Sequence, residues 1–168
     1  ISVGPSSYGP FPDMSVYSVA LAERSQGAFT ARDDAGNIEI YTGTATGLFR
    51  LTSASTTFED VSKAGGYSTA TDAQWSFCQF GQRVIATNGV DAIQSYVMGT
   101  STDFADLSSD APIASFVEVV KEFVMAGRIA GNPERIHWSA QNDPTSWPTP
   151  GSAAAAAVQS DFQDLFEG

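Results

Sequence analysis

Three strings in this chain repeat one design. They read Ser55-Thr56-Thr57-Phe58-Glu59-Asp60-Val61-Ser62, then Ser101-Thr102-Asp103-Phe104-Ala105-Asp106-Leu107-Ser108, then Pro144-Thr145-Ser146-Trp147. Their aromatic anchors Phe58, Phe104 and Trp147 stand 46 and 43 residues apart. Short strand-like runs separated by glycine turns precede each anchor. A period of this size with strand patterning is the signature of stacked β units such as propeller blades.

The runs can be placed one by one. The first unit has strands at 28–32, 38–42 and 48–52, with Asp33-Asp34-Ala35-Gly36-Asn37 as a hairpin loop whose residues tolerate positive φ. The second has 75–80, 83–87 and 93–97, turning at Gly81-Gln82 and Asn88-Gly89-Val90-Asp91. The third has 115–120, 123–126 and 135–139, with a loop over 127–134. Ahead of them, residues 1–13 are punctuated by Gly4-Pro5, Gly9-Pro10 and Pro12, which predicts an extended arm. Residues 15–21 alternate in part and predict a lone strand. Five alanines from Ala153 predict a short helix within 153–163, with an Ala-rich loop as the alternative.

The expected architecture is all-β: a partial β-propeller-like array of about three antiparallel blades with an extended N-terminal arm. Its divisions fall at 1–27 (arm and lone strand), 28–66, 67–110 and 111–149 (the three repeats) and 150–168 (Ala-rich segment). Closed propellers have ~4–8 blades, and an open array exposes unpaired, partly apolar edges. Either a continuation past residue 168 completes the ring or partner chains cover its ends. The first is expected.

Charge narrows the function. The 168 residues carry 19 carboxylates against 8 Lys and Arg, a formal net charge of -11. Nucleic-acid binding needs clustered cations that release counterions from phosphates, and here no two basic residues are adjacent. Tight DNA binding is therefore not expected, whereas an acidic surface beside a DNA conduit is compatible, since like charge prevents sticking. The single cysteine, Cys78, permits no internal disulfide and no Cys-based metal site, and reads as a small buried hydrophobe. No signal-peptide pattern is present, and the apolar run 153–158 is too short to cross a bilayer. A soluble chain made in the cytoplasm, with no membrane contact, is expected.

Few residues suggest chemistry. Ser139-Ala140-Gln141-Asn142-Asp143-Pro144-Thr145-Ser146-Trp147 resembles the Asp-box hairpins of sialidase-like propellers, with Pro144 where a glycine usually stands. An Asx turn at Asn142 or Asp143, a φ preset by Pro144 and a Trp147 plugged between sheets make this a structural corner. A sialidase would need grouped arginines, and the six here show no grouping in sequence. His137, the only histidine, reads as a strand residue facing solvent or a cation; there is no Gly-x-Ser-x-Gly elbow for a triad. Asp33, Asp34 and Asn37, or Asp103 and Asp106, lack the spaced oxygens of a calcium loop. Asp60 and Asp106 recur two residues after their anchors, which points to turn capping. No residue is assigned as catalytic, cofactor-binding or metal-binding, no cofactor is expected, and the chain reads as a non-enzyme.

Several strings together resemble bacteriophage virion proteins: Tyr8-Gly9-Pro10-Phe11-Pro12, Gly27-Ala28-Phe29-Thr30-Ala31, Gly43-Thr44-Ala45-Thr46-x-Leu48-Phe49-Arg50-Leu51 and Phe58-Glu59-Asp60-Val61-Ser62. Trp75-Ser76-Phe77-x-Gln79-Phe80-Gly81-x-Arg83-Val84-Ile85-Ala86-Thr87-Asn88-Gly89 and Arg135-Ile136-His137-Trp138-Ser139-Ala140-x-x-Asp143-Pro144-Thr145-x-Trp147 extend the likeness along nearly the whole chain. The family is that of β-propeller-type tail and head–tail connector proteins, akin to the tail hub or packaged-DNA stabilisation proteins of short-tailed phages. The resemblance implies a structural, non-catalytic ring component located in the virion. Its partners would be copies of itself and neighbouring portal, adaptor or tail proteins, with DNA passing nearby. Residues 1–13, 127–134 and 149–163 are the expected contact segments. A carbohydrate-binding or sialidase-like propeller is the alternative.

Overall fold

Each unit begins as a hairpin that its own turn residues close. In the first, Asp33 accepts hydrogen bonds from the Asn37 backbone N–H (2.7 Å) and side-chain amide (2.8 Å), while Gly36 takes φ +88°. The computed structural model describes residues 2–4, 7–8 and 15–165. At the N-terminus β1 (Ser2–Gly4) pairs antiparallel with β2 (Ser7–Tyr8). The predicted arm therefore contains a two-stranded ribbon, and the remainder of residues 1–13 lies outside the described residues. The predicted strand at 15–21 does not form; Val19 instead hangs by its N–H on the Thr56 carbonyl at 2.7 Å.

Three four-stranded antiparallel sheets follow. The first comprises β3 (Ala28–Arg32), β4 (Ile38–Gly43), β5 (Leu48–Thr52) and β6 (Glu59–Asp60). The second comprises β7 (Ser76–Phe80), β8 (Arg83–Thr87), β9 (Gln94–Val97) and β10 (Ala105–Asp106). The third comprises β11 (Ala114–Val120), β12 (Phe123–Ile129), β13 (Asn132–Trp138) and β14 (Asp161–Asp164). Each sheet runs in sequence order from its first strand to its fourth, and the chain then passes to the first strand of the next. β7 packs against both β3 and β11, so the first strands form the inner column of an open, propeller-like array. The all-β blade architecture read from the sequence is thus the observed one.

Two differences have clear physical causes. The segment 127–134 is not a loop: β12 and β13 continue through it and reverse at Ala130-Gly131. A bulge at Arg128 (φ +52°) breaks the register between Gly127 and Ile129, and it is this irregularity that interrupts the strand pattern. The third blade also reaches past residue 149. Ser152 caps helix α1 (Ala153–Val158), accepting from the Ala155 N–H at 3.1 Å, and Gln159 ends it at φ +59°. The chain then returns as β14, held to β13 by the bidentate pair of Arg135 with Asp164 at 2.6 and 2.9 Å.

The two seams between blades hold the core. Between the first and second lie Tyr41, Leu48, Trp75, Val84, Tyr96 and Phe104, all buried. Between the second and third lie Cys78, Ile85, Ile93, Val117, Val124 and Trp147. Phe58 is only half-buried where Phe104 and Trp147 are enclosed, so the three sequence anchors are not structurally equal. The corner strings in the first two units are themselves the outer strands β6 and β10.

Candidate functional site

A cleft of about 500 Å³ opens at the boundary of the second and third blades. Three chain reversals build it: the run into β7 (Asp72), the β8–β9 turn (Asn88, Gly89) and the β12–β13 bulge and turn (Arg128, Gly131), with Ser115 of β11 between them. Asn88 is fixed from both ends of its amide. Its oxygen accepts from the N–H groups of Val90 (3.0 Å) and Asp91 (2.9 Å). Its nitrogen donates to Thr69 (2.9 Å) and to the Asp91 carboxylate (2.8 Å). Gly89 sits at φ +83°, a left-handed backbone that favours glycine, and a Cβ there would stand 2.8 Å from the Ser115 hydroxyl, which would have to turn aside. That close approach lets the two blades meet at the cleft.

Arg128 is the cleft's cation. Its backbone is held in the left-handed region by the bulge, at a cost that a non-glycine residue bears only where its surroundings fix it. The side chain is exposed, and among the described residues it forms no ion pair. A guanidinium, the Asp72 carboxylate and the Ser115 hydroxyl around an open hollow can bind a polar, hydroxyl-rich or carboxylate-bearing group, while the Asn88 amide, already bonded at its oxygen and at both hydrogens, only shapes the wall. They do not pair a nucleophile with a base. Asp72, Asn88 and Arg128 are far apart in sequence and meet only through the wiring of the blades. The local signals that point to them are the Asn88-Gly89 turn and an arginine following Gly127.

The residues weighed from sequence fall elsewhere. At the Asp-box-like corner, Asp143 accepts from the Thr145 N–H (2.9 Å) and hydroxyl (2.7 Å), and these bonds, the hydroxyl first, hold its carboxyl below the usual range. Asn142 takes φ +57°, and the Trp147 indole donates to the Pro144 carbonyl at 2.8 Å while its ring is buried in the second seam. The corner therefore closes the blade, as its residue types require. Asp60 does the same two blades earlier, accepting from the Ser62 N–H (2.9 Å) and hydroxyl (2.6 Å). Asp106 does not cap a turn; it accepts from Lys63 (2.9 Å) and Gln94 (2.6 Å), tying one blade to the next. Gln94 first and Lys63 second hold its carboxyl below the ordinary value.

His137 is not on a solvent face. It is 8 % exposed and stands edge-on to Trp147, ring centres 5.2 Å apart. Burial first, and Arg135 second, pull its pKa down, so the neutral ring is favoured. The Cys78 thiol is buried and pushed up to about 12 by desolvation, which leaves it inert as a nucleophile near neutral pH. Two arginines are spent on structure, Arg50 with Glu59 and Glu39, and Arg135 with Asp164. Among the described residues no group of three or more His, Cys, Asp or Glu side chains could hold a metal ion, and no helix is long and apolar enough to cross a membrane.

The fold and cleft define an open array of propeller-like blades with a polar hollow at one seam. The chain matches no protein-family model, and no curated protein matches it.

Proposed function

We propose that this chain is a structural protein of a bacteriophage virion, a non-enzymatic hub-type ring component of the tail or head–tail connector. The reading is carried by one observation: tandem four-stranded modules joined through two well-packed seams, the arrangement of a scaffold whose shape is its use. The likeness of the Trp75–Gly89 and Arg135–Trp147 strings to virion proteins supports it. So does the net charge of -11 with no adjacent basic residues, which suits a subunit beside a DNA conduit that must not grip the genome. Its partners would be portal, adaptor or tail proteins and copies of itself, and its place the virion, assembled in the host cytoplasm.

The cleft favours a second reading, a carbohydrate-binding propeller, because Asp72, Ser115 and Arg128 are a set that recognises hydroxyl-rich ligands. One pair of experiments separates the two. Immunoblotting of density-purified phage particles is expected to find the chain banding with the particles, and a glycan array is expected to show no binding. Absence from particles together with glycan binding that Arg128→Ala abolishes would replace the first reading by the second.

A further inference from the structure

Every seam in this molecule joins the forward face of one blade to the backward face of the next. The forward face of the first blade (Phe29, Ala31, Tyr41) is covered by the backward face of the second (Phe77, Val84, Ala86, Tyr96). The forward face of the second (Cys78, Ile85) is covered by the backward face of the third (Val117, Val124, Ala126). Two faces are left over, and they are the two halves of this same interface.

The forward face of the third blade presents Phe116, Val120, Met125, Ile136 and Trp138, which share one side of the sheet by register. Phe116 is 57 % and Val120 45 % exposed. Two shallow apolar depressions run along this face. The backward face of the first blade presents Ile38 and Ile40 beside the buried Leu51, and Tyr17 shares a depression with them. Tyr17 is itself 66 % exposed. Each face also carries one charge on its inner strand, of opposite sign: Glu118 on β11, opposite Met125, and Arg32 on β3, opposite Ile38. Both side chains are exposed, and among the described residues neither forms an ion pair. Apolar sheet faces of this kind mark interaction surfaces.

We infer that the occupant of each face is a second copy of this chain, docked head to tail. The forward face of blade three in one copy meets the backward face of blade one in the other, and Glu118 meets Arg32. Such a contact is heterologous, and it ends in a closed ring if the rotation between blades closes. Two copies bring six blades together, within the ~4–8 that propellers use, and both leftover faces of both copies are then buried. The inference rests on the repeated seam and the charge pair, and does not depend on the virion reading.

Sedimentation equilibrium of the purified chain tests it. The expected mass is twice the 17.7 kDa of the monomer. Glu118→Arg and Arg32→Glu, both at exposed positions, are each expected to shift the population to monomer at least tenfold. Mixing the two variants is expected to restore the dimer, because each interface then again joins opposite charges. Circular dichroism of each variant is expected to keep the parent β spectrum. A monomeric parent chain overturns the inference. So does a dimer that Phe116→Glu dissociates while Arg32→Glu leaves intact, since that pattern means face-to-face pairing of the third blades.

Discussion

The two seams do the same job with different chemistry. The first is aromatic and polar-clamped: Tyr41, Tyr96 and Phe104 form a triangle with ring centres 5.3 to 5.8 Å apart, and Trp75 stacks edge-on against Tyr67 at 4.9 Å. Hydrogen bonds lock it, from the Trp75 indole to the Thr44 carbonyl (2.8 Å) and from Arg50 to the Tyr96 hydroxyl (2.5 Å). Gln79 adds a bond to the Arg32 carbonyl (2.6 Å), and Lys63 an ion pair to Asp106. The second seam is largely aliphatic, with Trp147, His137 and the half-buried Phe80 as its large rings and fewer polar ties, among them the Ser76 hydroxyl accepting from the Val117 N–H at 3.2 Å. Directional bonds set the angle of the first seam, while shape alone fills most of the second. The cleft lies at the second, where fewer ties leave room for a hollow.

The comparison can be broken most sharply at Trp75. Trp75→Ala empties a site that is 4 % exposed and leaves the Thr44 carbonyl without its donor. The expected loss is ~3–5 kcal/mol of unfolding free energy, measured by urea titration. That is a large share of the ~5–15 kcal/mol a domain possesses. Gly43→Ala attacks the same seam from the other side. Its Cβ would fall 2.2 Å from Trp75 Cδ1, and the anchored indole cannot retreat. Overpacking of this kind costs ~1–3 kcal/mol, readable in the same titration.

The second seam answers to pH instead. His137 has a folded pKa below its unfolded value, so the folded state binds fewer protons. Stability is then flat above the unfolded pKa, ~6.5, and falls as pH drops through it until the folded ring also protonates. Arg135 opposes protonation and Asp161 favours it. His137→Gln is expected to flatten the slope of melting temperature against pH between about 7 and 5, with Trp75→Ala leaving that slope in place. The smallest effect belongs to Lys63→Ala. Its partner Asp106 is half exposed, so a loss of ~0–1 kcal/mol that shrinks with added salt is expected.

The blades were legible because strand and turn chemistry is local. Asp33 with Gly36, and Asn88 with Gly89, announce their reversals, and the alternation in 28–32 and 83–87 marks strands whose two faces meet two different neighbours. What stayed hidden was non-local. The strand β14 follows a helix and pairs along β13 from Trp138–Asp161 to Arg135–Asp164, a pairing no window of sequence contains. The bulge at Arg128 disguised the β12–β13 hairpin as a loop. His137 alternates between apolar neighbours, and its burial depends on Trp147 arriving from the next corner. The cleft combines three turns from two blades, so only the wiring assembles it.

Two backbone bonds exist only when the first seam is docked: the Trp75 N–H donates to the Gln26 carbonyl at 2.8 Å, and the Phe104 N–H to the Val61 carbonyl at 2.7 Å. Amide hydrogen exchange resolved by residue reads both directly. If the three sheets form one continuous array, these two amides are protected as strongly as the interior strand amides of Tyr41 and Ile85. Rapid exchange at Trp75 and Phe104 beside slow exchange within the strands would mean independent sheets on a string, and would contradict it.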